Sequence, residues 1–411
     1  MILTNYDIAV IGAGPAGLTA AVALARAGCR TVLAGPRFNP HPSRPDTRTT
    51  ALLRASVQML RNLDVWERCQ GDAAPLLTIR IIDDTGRLFR APEVVFHCQE
   101  LGGEPFGYNI PNTALVAALL DRARNMNNLT LIETAGATGL ELGDAEVIIT
   151  LAEGQSLTAC LVAGADGRNS LCRKTAGLAT RSWQYPQMAL AFNFDHSEPH
   201  HGASNEFHAN AGPFTTVPLP GLASSLVWVT TPQQAKRLMS MDSNGIATAI
   251  EDRLQGCLGR VSDVGPRATF PLSGMSVERY TAHRVALVGE AAHVIPPIGA
   301  QGLNLSFRDA ATLAEYAGAA LEQGDDPGGR KTLRAYDRAR RADIFTRTVA
   351  VDLLNRSLLT GFLPLQVARG IGLHLLAGIA PLRRFFMREG LAPQTGLPKL
   401  MQAPAQTKAM P

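Results

Sequence analysis

The fold of this chain is decided by the stretch Asp7-Ile8-Ala9-Val10-Ile11-Gly12-Ala13-Gly14-Pro15-Ala16-Gly17-Leu18. An apolar run of strand length meets a G-x-G-x-x-G turn, and the Ala-rich residues 18–27 that follow predict a helix. In such a unit the first glycine permits the tight turn, the second lets the backbone approach a pyrophosphate, and the third lets the helix pack close to the strand. The helix N-terminus also offers free N–H groups and a positive dipole to phosphates. The stretch therefore predicts a dinucleotide site at Gly12, Gly14 and Gly17, and by itself it leaves NAD, NADP and FAD open.

Composition limits the class of protein. The chain has 411 residues and 46% hydrophobic content, enough for two or three domains with a sizeable core. Its six cysteines are scattered without a C-x-x-C pair, which argues against a zinc site, an iron–sulfur cluster and a disulfide framework and favours a reducing compartment. The chain does not open on a basic stretch followed by an apolar one, so no secretory signal is predicted.

Positive charge is concentrated near the C-terminus. The formal net charge is +4, yet residues 330–389 carry twelve Lys and Arg against four Asp and Glu, which leaves residues 1–329 acidic overall. No nucleic-acid-binding motif accompanies this charge, so no nucleic-acid partner is predicted. The same segment contains apolar runs at 358–364 and 371–382 that are too interrupted to span a bilayer. Attachment to a membrane surface and packing on the protein's own body are equal interpretations of this segment.

The end of the second predicted strand departs from the usual dinucleotide pattern. An acid that holds the ribose hydroxyls is expected there, but the sequence reads Leu33-Ala34-Gly35-Pro36. A Pro- and Arg-rich loop follows and leads to Asp46-Thr47-Arg48. The paired N–H donors of an arginine suit a pyrophosphate, and a solvent-exposed Arg48 is the equal alternative.

Another carboxylate stands at the end of an apolar strand predicted over residues 160–165. The sequence continues as Asp166-Gly167-Arg168-Asn169-Ser170 into the start of a helix. Open α/β sheets bind ligands at the C-terminal ends of their strands, so Asp166 and Gly167 are candidate binding residues. An Asp166 that only caps the helix is the alternative.

A second informative stretch covers residues 284–305. A buried strand ends in Gly289-Glu290, a Pro/Gly loop follows, and a helix is predicted from near Gln301 to about Leu321. Small residues at a helix N-terminus let backbone N–H groups lie against a flat ring and stabilise negative charge there. For His293 in the loop, an orienting, hydrogen-bonded role is favoured over that of a catalytic base.

The remaining segments are mainly β in pattern. Residues 76–96 predict a strand and a turn, as in a hairpin, and short strand-like runs fill residues 183–270 with few helical periods. Four histidines of this region match no ligand spacing, so they are interpreted as part of a surface loop and no metal site is predicted; they are His196, His200, His201 and His208.

Together these motifs resemble the class A flavoprotein monooxygenases, of the kind that includes p-hydroxybenzoate hydroxylase, and more closely the ubiquinone-biosynthesis hydroxylases. The resemblance covers nearly the whole chain and rests on the glycine turn at 12–17, Asp46-x-Arg48-x-x-Ala51-Leu52 with Ser56, Asp166-Gly167 with Ser170 and Arg173, Gly289-Glu290-Ala291-Ala292-His293, Pro297 to Asn304, and Met387-Arg388-Glu389-Gly390-Leu391. Two positions depart from the family pattern. Gly35 replaces the ribose-binding acid, which predicts weaker FAD retention, and Glu290 stands where the family has Asp or Asn.

The resemblance implies a bound FAD, a reduced nicotinamide that visits transiently, and O2 as co-substrate. It also implies hydroxylation of the aromatic ring of a polyprenylated phenol or quinone precursor in ubiquinone biosynthesis through a flavin hydroperoxide, so no catalytic side chain is assigned. Pro297, Gly299 and Gln301 are expected to line the ring. The full set of expected cofactor-binding residues is Gly12, Gly14, Ala16, Gly17, Arg48, Asp166, Gly167, Gly289, Glu290, Pro297, Gly299, Ala300, Gln301, Gly302, Leu303 and Asn304.

The predicted architecture is α/β with a discontinuous second domain. A Rossmann-like FAD-binding domain takes residues 1–75, 101–180 and 268–330, a β-rich substrate domain takes 76–100 and 181–267, and a basic and apolar helical segment takes 331–411. A cytoplasmic location is expected, with peripheral contact to the inner face of the membrane or to a biosynthetic complex. Two other functions stay open: an FAD monooxygenase for a soluble aromatic or an isoprenoid, and a non-catalytic flavin- or lipid-binding subunit.

Overall fold

The computed structural model describes residues 2–38, 46–86, 92–297, 299–359, 378–390 and 396–404, together with residues 372, 374 and 375. In chain order the strands β1 to β20 are Ile2–Ile11, Thr31–Gly35, Thr49–Leu53, Ala74–Leu76, Thr78–Asp83, Val94–His97, Gly107–Pro111, Leu129–Glu133, Ala137–Leu142, Val147–Leu151, Ser156–Gly164, Thr180–His196, Ala203–Ala209, Gly212–Leu219, Ala223–Thr230, Val261–Ser262, Ala268–Val277, Thr281–Ala282, Val285–Leu287 and His293–Val294. The helices α1 to α9 are Pro15–Arg26, Arg54–Asn62, Asn112–Arg124, Leu171–Thr175, Pro232–Ser240, Ser243–Leu254, Gln301–Glu322, Arg330–Leu359 and Ala380–Gly390.

The first sheet is the predicted Rossmann-like sheet. Its strands follow the order β18-β19-β11-β1-β2-β8, and β1 runs parallel to both of its neighbours, β2 and β11. The apolar residues 8–11 of β1 are almost completely buried because helices cover a central parallel strand. Strand β10 extends the sheet through antiparallel pairing with β11, and β9 pairs antiparallel with β10. The predicted α/β fold class is confirmed, and β1 carries the glycine turn at its C-terminal end.

Helix α1 begins three residues earlier than the sequence pattern suggests. Pro15 occupies its first turn, where a missing N–H costs nothing. Helix α7 agrees with its prediction more closely, since it runs from Gln301 to Glu322. The two helices pack against each other, so the two motifs that the sequence singled out share one layer above the sheet.

The second sheet has nine strands in the order β20-β17-β12-β15-β14-β13-β5-β6, with β16 on the side of β12. The antiparallel pairing of β5 with β6 confirms the hairpin predicted at residues 76–96. Strand β17 pairs with β12, although the predicted boundaries assign residue 268 onward to the FAD-binding domain. The division into domains itself remains a prediction.

The β-rich region contains features that its pattern hid. Helices α5 and α6 begin at side-chain caps from Thr231 and Asp242 and were not predicted. The surface-loop interpretation is wrong for His196 and His208, which are buried in β12 and β13. The His196 ring bonds to the Ser224 hydroxyl at 3.0 Å, a contact that only the sheet pairing creates. Within the described residues, no group of three or more His, Cys, Asp or Glu side chains is arranged to hold a metal ion.

The described parts of the C-terminal segment pack on the body of the protein, with α8 against β19 and α9 against β4 and β6. Helix α8 buries Leu333, Tyr336 and Ile344, and the Tyr336 hydroxyl donates to the Leu287 carbonyl at 2.7 Å. In α9, Met387 is buried in a cluster with residues of β4 and β6. Most of the predicted apolar run at 358–364 and the start of the run at 371–382 lie outside the described residues. In the part of the chain that is described, no helix combines the length and apolarity needed to cross a membrane.

Candidate functional site

The glycine turn, residues 12–17, is tightly packed where it meets the sheet, but it leaves open space at the N-terminus of α1. A Cβ on Gly12 would lie 2.3 Å from the Ala165 carbonyl oxygen, and one on Gly17 would lie 1.8 Å from the Gly12 oxygen. A Cβ on Gly14 would meet nothing within 4 Å, and no side chain caps the α1 N-terminus. Space and free N–H groups therefore coincide at one place, which fits a pyrophosphate.

The position of the missing acid is closed by the backbone. A Cβ on Gly35 would lie 2.5 Å from the Ala13 nitrogen and 2.8 Å from the Ala13 Cβ. The Gly12 N–H donates to the Ala34 carbonyl at 2.8 Å, so the end of β2 lies directly against the glycine turn. Glycine at position 35 is a packing requirement of this turn, and the turn offers no carboxylate from that strand to a ribose.

Asp166 uses one carboxylate oxygen as a cap and keeps the other free. Its Oδ2 accepts a hydrogen bond from the Cys172 N–H at 3.1 Å, which is the capping role considered above. Its Oδ1 is buried and has no hydrogen-bond partner among the described residues. A buried acceptor without a donor is costly unless a ligand supplies one, so Asp166 fits a hydroxyl of a bound cofactor. Gly167 follows with a φ of +76°, which glycine adopts without strain.

Arg173 joins two segments that are far apart in sequence. Its Nη1 donates to the Ala291 carbonyl at 2.9 Å, and its Nη2 donates to the Arg168 carbonyl at 2.8 Å. The side chain is buried, so these bonds fix the segment after Asp166 against the segment that begins at Gly289.

Gly289 also approaches the glycine turn. A Cβ built on Gly289 would lie 3.1 Å from the Cβ of Ala16 in α1. Glu290 follows in an exposed position. The structure thus brings together Ala16, Gly289 and the Asp166 segment, three of the predicted site elements.

The ring loop, residues 297–304, ends in the exposed N-terminus of α7. Gly299 and Ala300 have φ angles of +65° and +54°, and no side chain caps the helix that begins at Gln301. A Cβ on Gly299 or on Gly302 would meet nothing within 4 Å. Ile298 lies outside the described residues. Open space beside free helix N–H groups fits a flat ring that gains negative charge.

Asn304 braces the ring loop with its side chain. Its Oδ1 accepts from the Leu53 N–H at 2.9 Å and from the Ser56 hydroxyl at 2.7 Å, and its Nδ2 donates to the carbonyls of Ala51 and Ala300 at 2.8 and 2.6 Å. These four bonds use the whole amide, so only backbone atoms of Asn304 remain for a ligand. They also explain why Ala51 and Ser56 accompany Asn304 in the sequence pattern.

The side chain of Arg48 is exposed, as the alternative interpretation predicts. Its Nε and Nη2 donate to the Asp46 carboxylate at 2.7 and 2.8 Å, and its guanidinium lies 5.7 Å from the Phe270 ring centre. The bond to Asp46 raises the pKa of Arg48, and Glu290 adds a smaller contribution. Contact between Arg48 and a pyrophosphate stays a prediction, as do the cofactor contacts of the other site residues.

Sequence reasoning missed a buried charge network behind the ring loop. Asp309 of α7 is fully buried; its Oδ2 accepts from the Gly289 N–H at 3.0 Å and contacts His293 Nε2 at 2.7 Å, and its Oδ1 accepts from Arg340 Nε at 2.7 Å. Burial raises the pKa of Asp309, but His293 and Arg340 outweigh it and hold that pKa below its ordinary value. The hydrogen-bonded role predicted for His293 is confirmed by its contact with Asp309. An acid within the apolar face of α7 was the further signal in the sequence.

Comparisons with known proteins agree with this geometry. A family model described as FAD binding domain matches residues 5–350. Ubiquinone hydroxylase UbiL of Rhodospirillum rubrum is 34% identical over 94% of this chain and 89% of its own length. The 3-demethoxyubiquinol 3-hydroxylase of Escherichia coli is 30% identical over 95% of this chain and 100% of its own. Among solved structures, p-nitrophenol 4-monooxygenase PnpA of Pseudomonas putida has a TM-score of 0.76 at 18% identity, covering 95% of this chain and 99% of its own, and shows the same fold.

The glycine turn, the free Asp166 oxygen and the open ring loop fit the cofactor that these comparisons indicate. FAD is the cofactor, and reduced nicotinamide and O2 are the usual co-reactants of the class. The protein is a flavin-dependent hydroxylase. The chain belongs to the family of FAD-dependent monooxygenases that includes the ubiquinone hydroxylases.

Proposed function

We propose that this flavoprotein hydroxylates the aromatic ring of a polyprenylated phenol or quinone precursor in ubiquinone biosynthesis. The observation that carries the proposal is the similarity, across nearly the full chain, to two hydroxylases named for ubiquinone and demethoxyubiquinol. The ring loop and the buried residues behind it supply the matching local geometry.

The chain's own residues bind FAD, orient it and stabilise negative charge on its ring. FAD, when bound, supplies the redox chemistry that links reduced nicotinamide, O2 and the substrate ring. The uncapped α1 N-terminus beside Gly14 binds the pyrophosphate, and Asp166 Oδ1 accepts a hydrogen bond from a cofactor hydroxyl. The α7 N-terminus at Gln301 stabilises negative charge at the ring through its dipole and free N–H groups.

The C-terminal segment supports peripheral contact with the inner face of a membrane by a cytoplasmic protein. On α8, Phe345 is 68% exposed and Val349 is 41% exposed. Exposed Arg334, Arg338 and Arg341 precede them at helical spacing. Apolar side chains next to basic ones suit an interface with anionic lipid, where a polyprenyl chain would also be held.

A deletion strain tests the reaction. We expect its ubiquinone pool to fall and a precursor that lacks one ring hydroxyl to accumulate, as measured by mass spectrometry of extracted quinones. The parental gene should restore the pool, and the gene carrying Gly14→Val should not. An unchanged pool would contradict the proposal, and turnover of a short, water-soluble phenol by the purified protein would favour the soluble-aromatic alternative. Absence of any nicotinamide- and O2-dependent turnover in FAD-loaded protein would favour a non-catalytic subunit.

Vesicle binding tests the membrane surface separately. The protein should co-sediment with vesicles that contain anionic lipid, and Phe345→Glu should weaken this binding. Leu222→Glu is the matched control, because Leu222 is 48% exposed outside the C-terminal segment. Equal loss in both variants would contradict the assignment of the surface to α8. No binding by the parent protein would favour a biosynthetic complex as the partner.

A further inference from the structure

Helix α8 presents a stripe of one tyrosine and three charged residues to the interior of the protein. Tyr336, Arg340, Asp343 and Arg347 recur at three- and four-residue spacing, so they share one face of the helix. Arg340 has 3% of its side chain exposed, and Asp343 and Arg347 have 18% each. Charges of this kind are rarely buried unless they are paired, which points to a specific role for the stripe.

Asp343 is the centre of the stripe. Its Oδ2 accepts from Arg340 Nη1 at 2.7 Å and lies 2.9 Å from Arg308 Nε of α7, and its Oδ1 accepts from Arg347 Nε at 2.9 Å. Arg340 continues to Asp309 and so to the Gly289 N–H. The segment that begins at Gly289, which is predicted to contact the cofactor, is therefore connected to α8.

Arg347 reaches the ring loop directly. Its Nη1 donates to Gln301 Oε1 at 3.2 Å, and Gln301 Nε2 donates to the Gly299 carbonyl at 2.9 Å. The loop needs such support, because Gly299 is followed by Ala300 in the left-handed region, which an alanine rarely adopts. The amide of Gln301 thus links the guanidinium to the strained turn.

We propose that Arg347 is a positioning residue for the flavin ring: it holds Gln301 and the ring loop in place and adds positive charge at the α7 N-terminus. The inference rests on FAD as the cofactor and is independent of which substrate is hydroxylated. Among the described side chains of this network, the guanidiniums of Arg308, Arg340 and Arg347 face the carboxylates of Asp309 and Asp343, so one positive charge remains beyond those that the carboxylates balance. A ring that becomes more negative on reduction is stabilised by that excess.

The experiment compares Arg347→Met, Arg347→Lys and the control Arg341→Met. Arg341 lies on the same helix and pairs with Asp337 at 2.7 Å, but 54% of its side chain is exposed. Arg347→Met should weaken FAD binding about tenfold, because a hydrogen bond to a charged group is lost. It should also lower the reduction potential of the bound flavin, measured against a reference dye. Arg347→Lys keeps the charge, so it should restore the potential more fully than the affinity, and Arg341→Met should change neither.

A second variant keeps the proposal testable if Arg347→Met does not fold. Gln301→Met removes the same contact from the other side without changing the charge, so it should weaken FAD binding by a similar factor. In the double variant the two losses should not add, because both remove one interaction. A parental FAD affinity in Gln301→Met, additive losses, or an Arg347→Met potential equal to that of Arg341→Met would each overturn the proposal.

Discussion

The glycine turn and the ring loop are held in place by different forces. At the glycine turn, Gly12, Gly17 and Gly35 allow backbone segments to pack at distances that no side chain tolerates. At the ring loop, the Asn304 amide holds the loop to β3 and α2, and buried charged side chains centred on Asp309 and Asp343 support it from behind.

This difference separates two kinds of sensitivity. The glycine turn depends on shape, so added atoms should disrupt it and a change of pH should not. The ring loop depends on charge balance in a poorly solvated place, so it should respond to neutralising substitutions and to acid.

The largest effect is expected from Asp309→Asn. This change leaves Arg340 buried without its main carboxylate, so the free energy of unfolding should fall by about 3–5 kcal/mol. Denaturant unfolding measures the loss. Asp325→Asn is the control, because its exposed pair with Lys331 should contribute no more than about 1 kcal/mol. Similar losses of unfolding free energy in the two variants would show that the buried ring-loop network stabilises the fold no more than an exposed ion pair does.

The next effect concerns cofactor binding at the glycine turn. Gly14 has an extended backbone with a φ of −74° and open space at its Cβ, so Gly14→Val should fold normally. The valine would fill the place of the pyrophosphate, and FAD affinity should fall roughly a hundredfold or more, equivalent to about 2.7 kcal/mol. Flavin absorbance of the purified protein and its melting temperature give both readouts. Gly17→Val should instead lower the melting temperature, because its Cβ would overlap the Gly12 oxygen.

The contrast also explains what the sequence could predict. The glycine spacing, the apolar β1 and the small residues before α7 are local patterns, so they revealed the fold class and where the site begins. The network is not local: Asp309 and Arg340 are 31 residues apart, and Gln301 and Arg347 are 46 apart. Only the packing of α8 against α7 brings them together. For the same reason, the side-chain role of Asn304 could not be separated from a cofactor contact.

A smaller effect is expected from restoring the family acid. Gly35→Glu places a Cβ 2.5 Å from the Ala13 nitrogen, so it should cost about 1–3 kcal/mol of stability through overpacking. FAD affinity, measured by quenching of flavin fluorescence, should not improve. Gly139→Glu is the control for adding an acid to a strand, because the nearest atom to its Cβ would lie 3.8 Å away. A Gly35→Glu protein that is stable and binds FAD more tightly would show that the turn has room for the acid.

The smallest effect is expected from the exposed carboxylate of Glu133 beside the glycine turn, and the largely buried carboxylate of Asp343 is the one with which it is compared. Burial raises the pKa of Asp343, but Arg340, Arg308 and Arg347 outweigh it, so that pKa lies below its ordinary value of 3.8. A lowered pKa stabilises the fold fully above the ordinary value, and this contribution is lost as the pH falls through the folded-state value. Asp343→Asn should therefore be less stable at neutral pH and lose stability less steeply below about pH 4 than the parent does.

Glu133→Gln is the matched change at the other end of the site. Glu133 pairs with Gly35 in register across β8 and β2, and its side chain is 59% exposed and 3.7 Å from Arg37. An exposed pair of this kind contributes about 0–1 kcal/mol, so unfolding curves from pH 7 to pH 2 should nearly superimpose on those of the parent. If Glu133→Gln flattened the acid dependence as much as Asp343→Asn does, charge would support both ends, and the assignment of shape to one end and charge to the other would fail.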